Sequence, residues 1–186
     1  MVALGISMAL SHPQIIDKGD EDGMREGKEY LVRAIRESTR KTISEAEALK
    51  IVNLVSQYSS YWEKRCENEG LIPKEIYYGI IHHESRFRAR ATSYFPAYGL
   101  MQLTPIWRGK APKYNVDEDM YDVAKNICAG IYVFNHYVRL ARHKNVDDIL
   151  SSALAYYNAG YRGAKLGRGK VYAEEVMSIS KKYRTI

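Results

Sequence analysis

Between Tyr121 and Ala141 the apolar residues Val123, Ile127, Ile131, Phe134 and Val138 recur at steps of four, four, three and four. Only an α-helix turns that spacing into one continuous apolar stripe, so the segment predicts a long amphipathic helix packed against others. Gly130 lies inside it. A helical glycine costs about 1 kcal/mol relative to alanine, and close packing of a neighbouring backbone is the expected reason for it. Other segments read in the same way. Ser44 and Glu47 form a capping box ahead of Leu49, Val52, Val55, Trp62 and Cys66, a helix that Gly70 is expected to end. Pro73 suits the first turn of a helix carrying Ile76, Ile80, Glu84 and Phe87 on one face. Short helices are predicted over Lys28 to Glu37, from Asn145 and Asp148 to Asn158-Ala159-Gly160, and over Val171 to Tyr183, with Tyr161 to Gly169 as loop. Arg88 to Pro105 contains Pro96 and Gly99 and reads as loop with a small hairpin, followed by a short helical turn. His12 to Gly27 is polar and reads as a flexible lead-in. The fold class is therefore mainly α, and 186 residues with 46% apolar content suffice for one domain with an appendage.

Composition excludes several functions. The net charge of +6 points to an anionic partner, but the cations are scattered, and the nearest approach to a block is Arg162, Lys165, Arg168 and Lys170. Zinc-finger spacing and aromatic-basic RNA motifs are absent, so no nucleic-acid partner is expected. Two cysteines, Cys66 and Cys128, cannot form a four-cysteine metal site; they make either one disulfide or two buried thiols. No apolar run approaches the ~20 residues needed to span a bilayer. Met1 to Ser11 ends in a small-x-small pattern compatible with signal cleavage but lacks a basic leader.

The residue best suited to chemistry is Glu84, a carboxylate on an otherwise apolar stripe near a helix C-terminus. Desolvation and the negative end of the helix dipole both favour its neutral acid, which is the form that donates a proton. The competing reading is a Glu at the rim of the stripe, paired with Arg86 or Arg88. A metal reading of His82-His83-Glu84 fails because adjacent helical residues point ~100° apart, and a zincin helix spaces its histidines by four. Ser85 lacks a nucleophile elbow, and neither cysteine has an obvious base nearby.

The order of motifs adds a family. Glu84-Ser85, then Gly99-Leu100-Met101-Gln102, then Tyr156-Tyr157-Asn158-Ala159-Gly160 resemble the three signature motifs of the soluble lytic transglycosylase (SLT) catalytic domain, a relative of goose-type lysozyme. Asn126-Ile127, Gly130 and Tyr172 agree as well. The family's usual Ala-Tyr-Asn-Ala-Gly has Tyr156 in place of its first Ala, and Val123 stands where a Pro often follows the Asp. The resemblance implies a lysozyme-like helical domain over 46–186 behind a lead-in of 1–45, with the small hairpin beside the active site. It implies cleavage of the β-1,4 bond between N-acetylmuramic acid and N-acetylglucosamine by a single acid, Glu84, which protonates the bridging oxygen and then takes the proton of the muramyl 6-hydroxyl. Asp117, Asp119 and Asp122 fall in no motif, and the resemblance implies that a second carboxylate is dispensable because the substrate's own groups stabilise the charge. Tyr157 is expected to position the Glu84 carboxyl, and Ser85, Gly99, Met101, Gln102, Tyr156, Asn158 and Tyr172 to line the sugar subsites. No metal or cofactor is implied. The expected partner is the peptidoglycan strand and the expected state a monomer. The expected location is the periplasm or cell envelope, or a phage or secretion apparatus. The alternatives are a lysozyme-type or chitin-active hydrolase on the same scaffold, or a non-catalytic glycan-binding module.

Overall fold

The structure, a computed structural model, describes residues 18–107, 109–111 and 120–185. Among them the chain forms α1 (Lys18–Ser38), α2 (Glu45–Arg65), α3 (Glu75–Ser85), α4 (Val123–His143), α5 (Ile149–Lys165) and α6 (Lys170–Ser180). Single 3-10 turns occupy Pro105–Trp107 and Lys181–Tyr183. The fold is mainly helical, and the connection from α3 to α4 holds the hairpin region, where Tyr98 bridges to Thr92 and Leu103.

Local signals account for most helix starts. The capping box on α2 is complete, with the Glu47 amide donating to Ser44 Oγ at 3.2 Å and the Ser44 amide to Glu47 Oε2 at 2.8 Å. Asp122 caps α4 by accepting from the Lys125 amide at 2.7 Å, and Asp148 caps α5 by accepting from the Ser151 amide at 2.9 Å. The ends differ more from expectation. α2 stops at Cys66, not Gly70, because Glu67 turns left-handed and Asn68 leaves the helix to donate its amide to the Asn135 carbonyl at 2.9 Å. α3 closes at Arg86, whose φ of 50° is also left-handed. Phe87 therefore lies beyond the helix it was expected to extend, though it is still buried against Tyr183 and His82.

The largest difference is at the N-terminus. α1 begins ten residues before the short helix expected at Lys28, and the polar run from Gly19 to Gly23 is helical. Acids in the first turns of a helix favour its positive end, and Asp22 pairs with Arg25 at 3.3 Å. Val32 and Ile35 of α1 are buried in the same core cluster as Ile51 and Val55 of α2. The remainder of the lead-in, residues 1–17, lies outside the described residues. α5 also continues past its expected stop: Gly160 breaks it with φ 67° and ψ 160°, and Tyr161 to Lys165, expected as loop, resumes helical turns. Cys66 and Cys128 are both buried, and no disulfide joins them.

Two glycines set how closely the elements meet. A Cβ at Gly130 of α4 would strike Met101, coming within 2.6 Å of its Cβ. The expected neighbour was a backbone; the actual one is a methionine side chain. A Cβ at Gly79 of α3 would collide with Ser180 and lie 2.9 Å from the Val176 carbonyl oxygen, both on α6. Here backbone does meet backbone. Gly79→Ala gains about 1 kcal/mol of helix propensity, but overpacking against a fixed carbonyl costs about 1–3 kcal/mol. The variant is expected to melt a few degrees lower, at about 2–4 °C per kcal/mol, and calorimetry that finds it unchanged or more stable would contradict this packing.

Candidate active site

Glu84 is the penultimate residue of α3, one turn and a half beyond the Gly79 contact. α3 and α6 run antiparallel here, since Gly79 meets Val176 and Ser180 while Glu84 meets Tyr172. The Tyr172 hydroxyl donates to Glu84 Oε1 at 2.7 Å. Tyr172 itself is buried, and burial followed by the nearby Glu84 and Tyr157 pushes its phenol well up, so it remains a donor. The Glu84 side chain keeps partial access to solvent although protein surrounds it closely. Burial raises its carboxyl above the ordinary carboxylate range; the Tyr172 hydrogen bond and the adjacent His83 pull the other way without cancelling it. Among the described residues no arginine pairs with it, and Arg88 donates Nε to the Ser85 carbonyl at 3.0 Å. Two grooves run beside α1, one along α2 and one towards α3 and Tyr183, and Glu84 lines neither.

The neighbouring histidines are engaged separately. His82 Nδ1 meets the Tyr183 hydroxyl at 2.6 Å, and His83 Nε2 meets Glu175 at 2.8 Å. Their different partners follow from the rotation between adjacent helical positions. Of the aspartates outside the motifs, Asp122 is used as the α4 cap, while Asp117 and Asp119 lie outside the described residues.

The Gly99–Gln102 loop is seated on the start of α4 by one side chain. Asn126 accepts from the Met101 amide at 2.9 Å and donates to the Tyr98 and Met120 carbonyls at 2.9 and 3.2 Å. A Cβ at Gly99 would fall 2.7 Å from Asn126 Cγ and 2.5 Å from the Met120 oxygen, so glycine is what lets the loop sit there, at φ 75°. Gln102, at φ 46°, donates Nε2 to the Ala91 and Gly99 carbonyls at 3.1 and 2.9 Å and ties the loop to the chain leaving α3. The Tyr157 hydroxyl closes the ring of contacts by donating to the Met101 carbonyl at 2.7 Å.

This geometry corrects several expected roles. The hydroxyl on Glu84 comes from Tyr172, because α6 is the helix packed on α3; Tyr157 on α5 commits its proton to the Met101 carbonyl. Ser85 is buried and donates to the Ile81 carbonyl of its own helix at 3.0 Å, and Met101 is fully buried against Gly130, so neither presents a side chain to a sugar. Gly99 acts through its backbone. Tyr156 is buried between Tyr137 and Tyr161, with ring centroids at 6.2 and 5.3 Å. Asn158 is exposed and Gln102 partly so, which leaves both able to meet a ligand. Asn126, which the sequence offers only as a point of agreement with the family and without a role, is the residue that positions the loop, and it is buried.

A carboxyl whose folded pKa is raised holds its proton to higher pH than the same group in the unfolded chain. Its stabilising contribution is therefore complete at acid pH and is lost as pH rises from the ordinary value of 4.5 through the raised one. Glu84→Gln is expected to melt higher than the parent protein above that window and alongside it below. Melting curves that cross the other way would show that Glu84 is charged at no cost.

Comparison with known proteins places this arrangement. A structure of the 70 kDa soluble lytic transglycosylase of Escherichia coli matches 83% of this chain at a TM-score of 0.57 and 21% identity, while this chain covers 29% of that one. The likeness is one of fold. No curated protein matches. The model of the transglycosylase SLT domain matches residues 60–176, a span that takes in Glu84, the Asn126-seated loop, Tyr157 and Tyr172, and the chain belongs to that family.

Proposed function

We propose that the chain is a peptidoglycan lytic transglycosylase domain that cleaves the β-1,4 bond between N-acetylmuramic acid and N-acetylglucosamine, with Glu84 as the only catalytic carboxyl. The observation that carries the reading is a carboxyl raised by burial, held through Oε1 by Tyr172, with no ion-pair partner. The neutral acid donates its proton to the bridging oxygen as the C1–O bond breaks, and positive charge develops on the muramyl ring. The substrate's own groups stabilise that charge. Glu84, now a carboxylate, accepts the proton of the muramyl 6-hydroxyl as its oxygen attacks C1 and closes a 1,6-anhydro ring. The proton count on the enzyme returns to its start without water. Tyr172 stabilises the carboxylate between the two transfers, and the Asn126-seated loop with Gln102 and Asn158 holds the strand. Its place of action is the cell envelope, where peptidoglycan is found; among the described residues no helix is long and apolar enough to cross a membrane.

Product chemistry decides between ring closure and hydrolysis. Mass spectrometry of digested peptidoglycan is expected to show 1,6-anhydromuramic ends, and reducing muramic ends would assign the scaffold to a hydrolase. Glu84→Gln should fold and lose turnover by at least ~10²–10⁴-fold, the range of acid-base contributions.

Tyr172→Phe removes a bond that favours the charged carboxylate, so the Glu84 acid rises further. The pH profile of kcat should shift its carboxyl limb upward relative to the parent enzyme, with a reduced maximum. A profile that keeps its position would mean the Tyr172 hydroxyl does not act on Glu84.

A further inference from the structure

From Ile149 to Ala173 the chain contains no Asp or Glu, yet carries Arg162, Lys165, Arg168 and Lys170. The structure gathers these four on the turn between α5 and α6 and adds Lys144 from the end of α4. All five are exposed, and among the described residues none makes an ion pair. Two of the four flanking acids are engaged elsewhere: Asp148 caps α5 and Glu175 holds His83. The ammonium groups of Lys144 and Lys165 lie 5.8 and 5.2 Å from the centre of one ring, Tyr161. Two cations gathered on one aromatic leave an anion site beside it. The turn is ordered by its own backbone, with the Leu166 and Arg168 amides bonded to the Gly163 carbonyl at 3.0 and 3.2 Å. Two apolar side chains, Leu166 and Val171, stand among the cations at 76% and 64% exposure.

The patch is joined to the candidate active site through the two helices that carry both. Tyr161 packs edge-on against Tyr156, the neighbour of Tyr157, and Lys170 is two residues before Tyr172. We propose that the α5–α6 turn, with Lys144, binds the carboxylates of the short peptides borne by the substrate strand, an inference that rests on the function proposed above. Charge complementarity commits the site to an anion, and the exposed Leu166 and Val171 fit the small apolar residues between peptide carboxylates better than they fit a phosphate polymer. An extended chain covers ~3.3–3.6 Å per residue, so a carboxylate on the third or fourth residue of such a peptide stands roughly 10–14 Å from the glycan.

The test uses the full chain carrying Glu84→Gln, so that binding is read without turnover, on soluble glycan strands with their peptides intact and on the same strands stripped by an amidase. Intact strands are expected to bind about tenfold tighter, a preference that fades at high salt. Arg162→Gln, Lys165→Gln and Arg168→Gln together should erase the preference at an unchanged melting temperature, and Lys165→Arg alone should keep it. Equal affinity for the two strands, or a preference that survives the triple change, overturns the proposal. Binding to vesicles of anionic phospholipid that the triple change abolishes, with the strand preference intact, assigns the patch to a lipid surface and overturns it too. Turnover by the parent enzyme is scored separately. If neither strand is cleaved, the proposed reaction fails while the binding difference still reports on the patch.

Discussion

Two helices bring a carboxyl and a hydroxyl within 2.7 Å only when their backbones are close, and α3 and α6 are close because residue 79 has no side chain. The contact at Gly79 fixes both separation and register. Moving along α3 towards its C-terminus is moving along α6 towards its N-terminus, so His83 meets Glu175 and Glu84 meets Tyr172. The left-handed Arg86 then ends α3 immediately after the acid. The carboxyl thereby sits where the helix stops and the connecting loop begins, which is why it is surrounded by protein and still reaches solvent.

A second constraint seats the opposite wall. α4 passes under the Gly99–Gln102 loop, and the absence of a side chain at Gly130 lets Met101 lie on it. Asn126 uses both N–H donors and its side-chain oxygen here, with two bonds to Tyr98 and Met101 and a third to the Met120 carbonyl. Met101 is thus an anchor whose amide and carbonyl are bound from below by Asn126 and Tyr157. The loop's backbone is held in place by these bonds, and Gln102, whose side-chain nitrogen is bonded to the Ala91 and Gly99 carbonyls, is fixed with it.

Periodicity made the four central helices legible, and three of them, α2, α4 and α5, start with a side chain that accepts from one of the helix's own first amides. Glu84 was legible as an acid on an apolar face. What sequence could not reveal is which hydroxyl reaches it, because Tyr157 and Tyr172 both stand on apolar helix faces and only the packing of α6 on α3 distinguishes them. α1 was half missed for a related reason. Its first turns are acidic and glycine-containing, a composition shared by flexible segments, and only the burial of Val32 and Ile35 further on draws the whole helix into the core. Ser85 shows the reverse error: a polar residue beside the acid reads as a ligand, but a serine in a buried helix can return its proton to the carbonyl four residues back.

Burial raises two carboxyls in this protein, and their surroundings separate their roles. Glu63 accepts from Tyr77 at 3.0 Å; Tyr77 in turn accepts from Asn135 at 2.9 Å, and Asn135 accepts from Asn68 at 3.0 Å. Desolvation lifts Glu63 as it does Glu84, with the Tyr77 bond and Lys74 opposing it. That chain of bonds ties α2, α3 and α4 and the turn after α2 together in a closed interior, and each polar group in it is satisfied by the next. A proton on Glu63 has nowhere to go. Glu84 has the same cause of elevation but one tyrosine hydroxyl on one oxygen and a side chain still open to solvent. An acid kept neutral by its seat, with one oxygen held and the other unclaimed by any charged partner, is built to exchange a proton with a molecule from outside. Each carboxyl has one tyrosine partner, so the contrast lies in access to solvent: Glu63 is buried and Glu84 is half-buried.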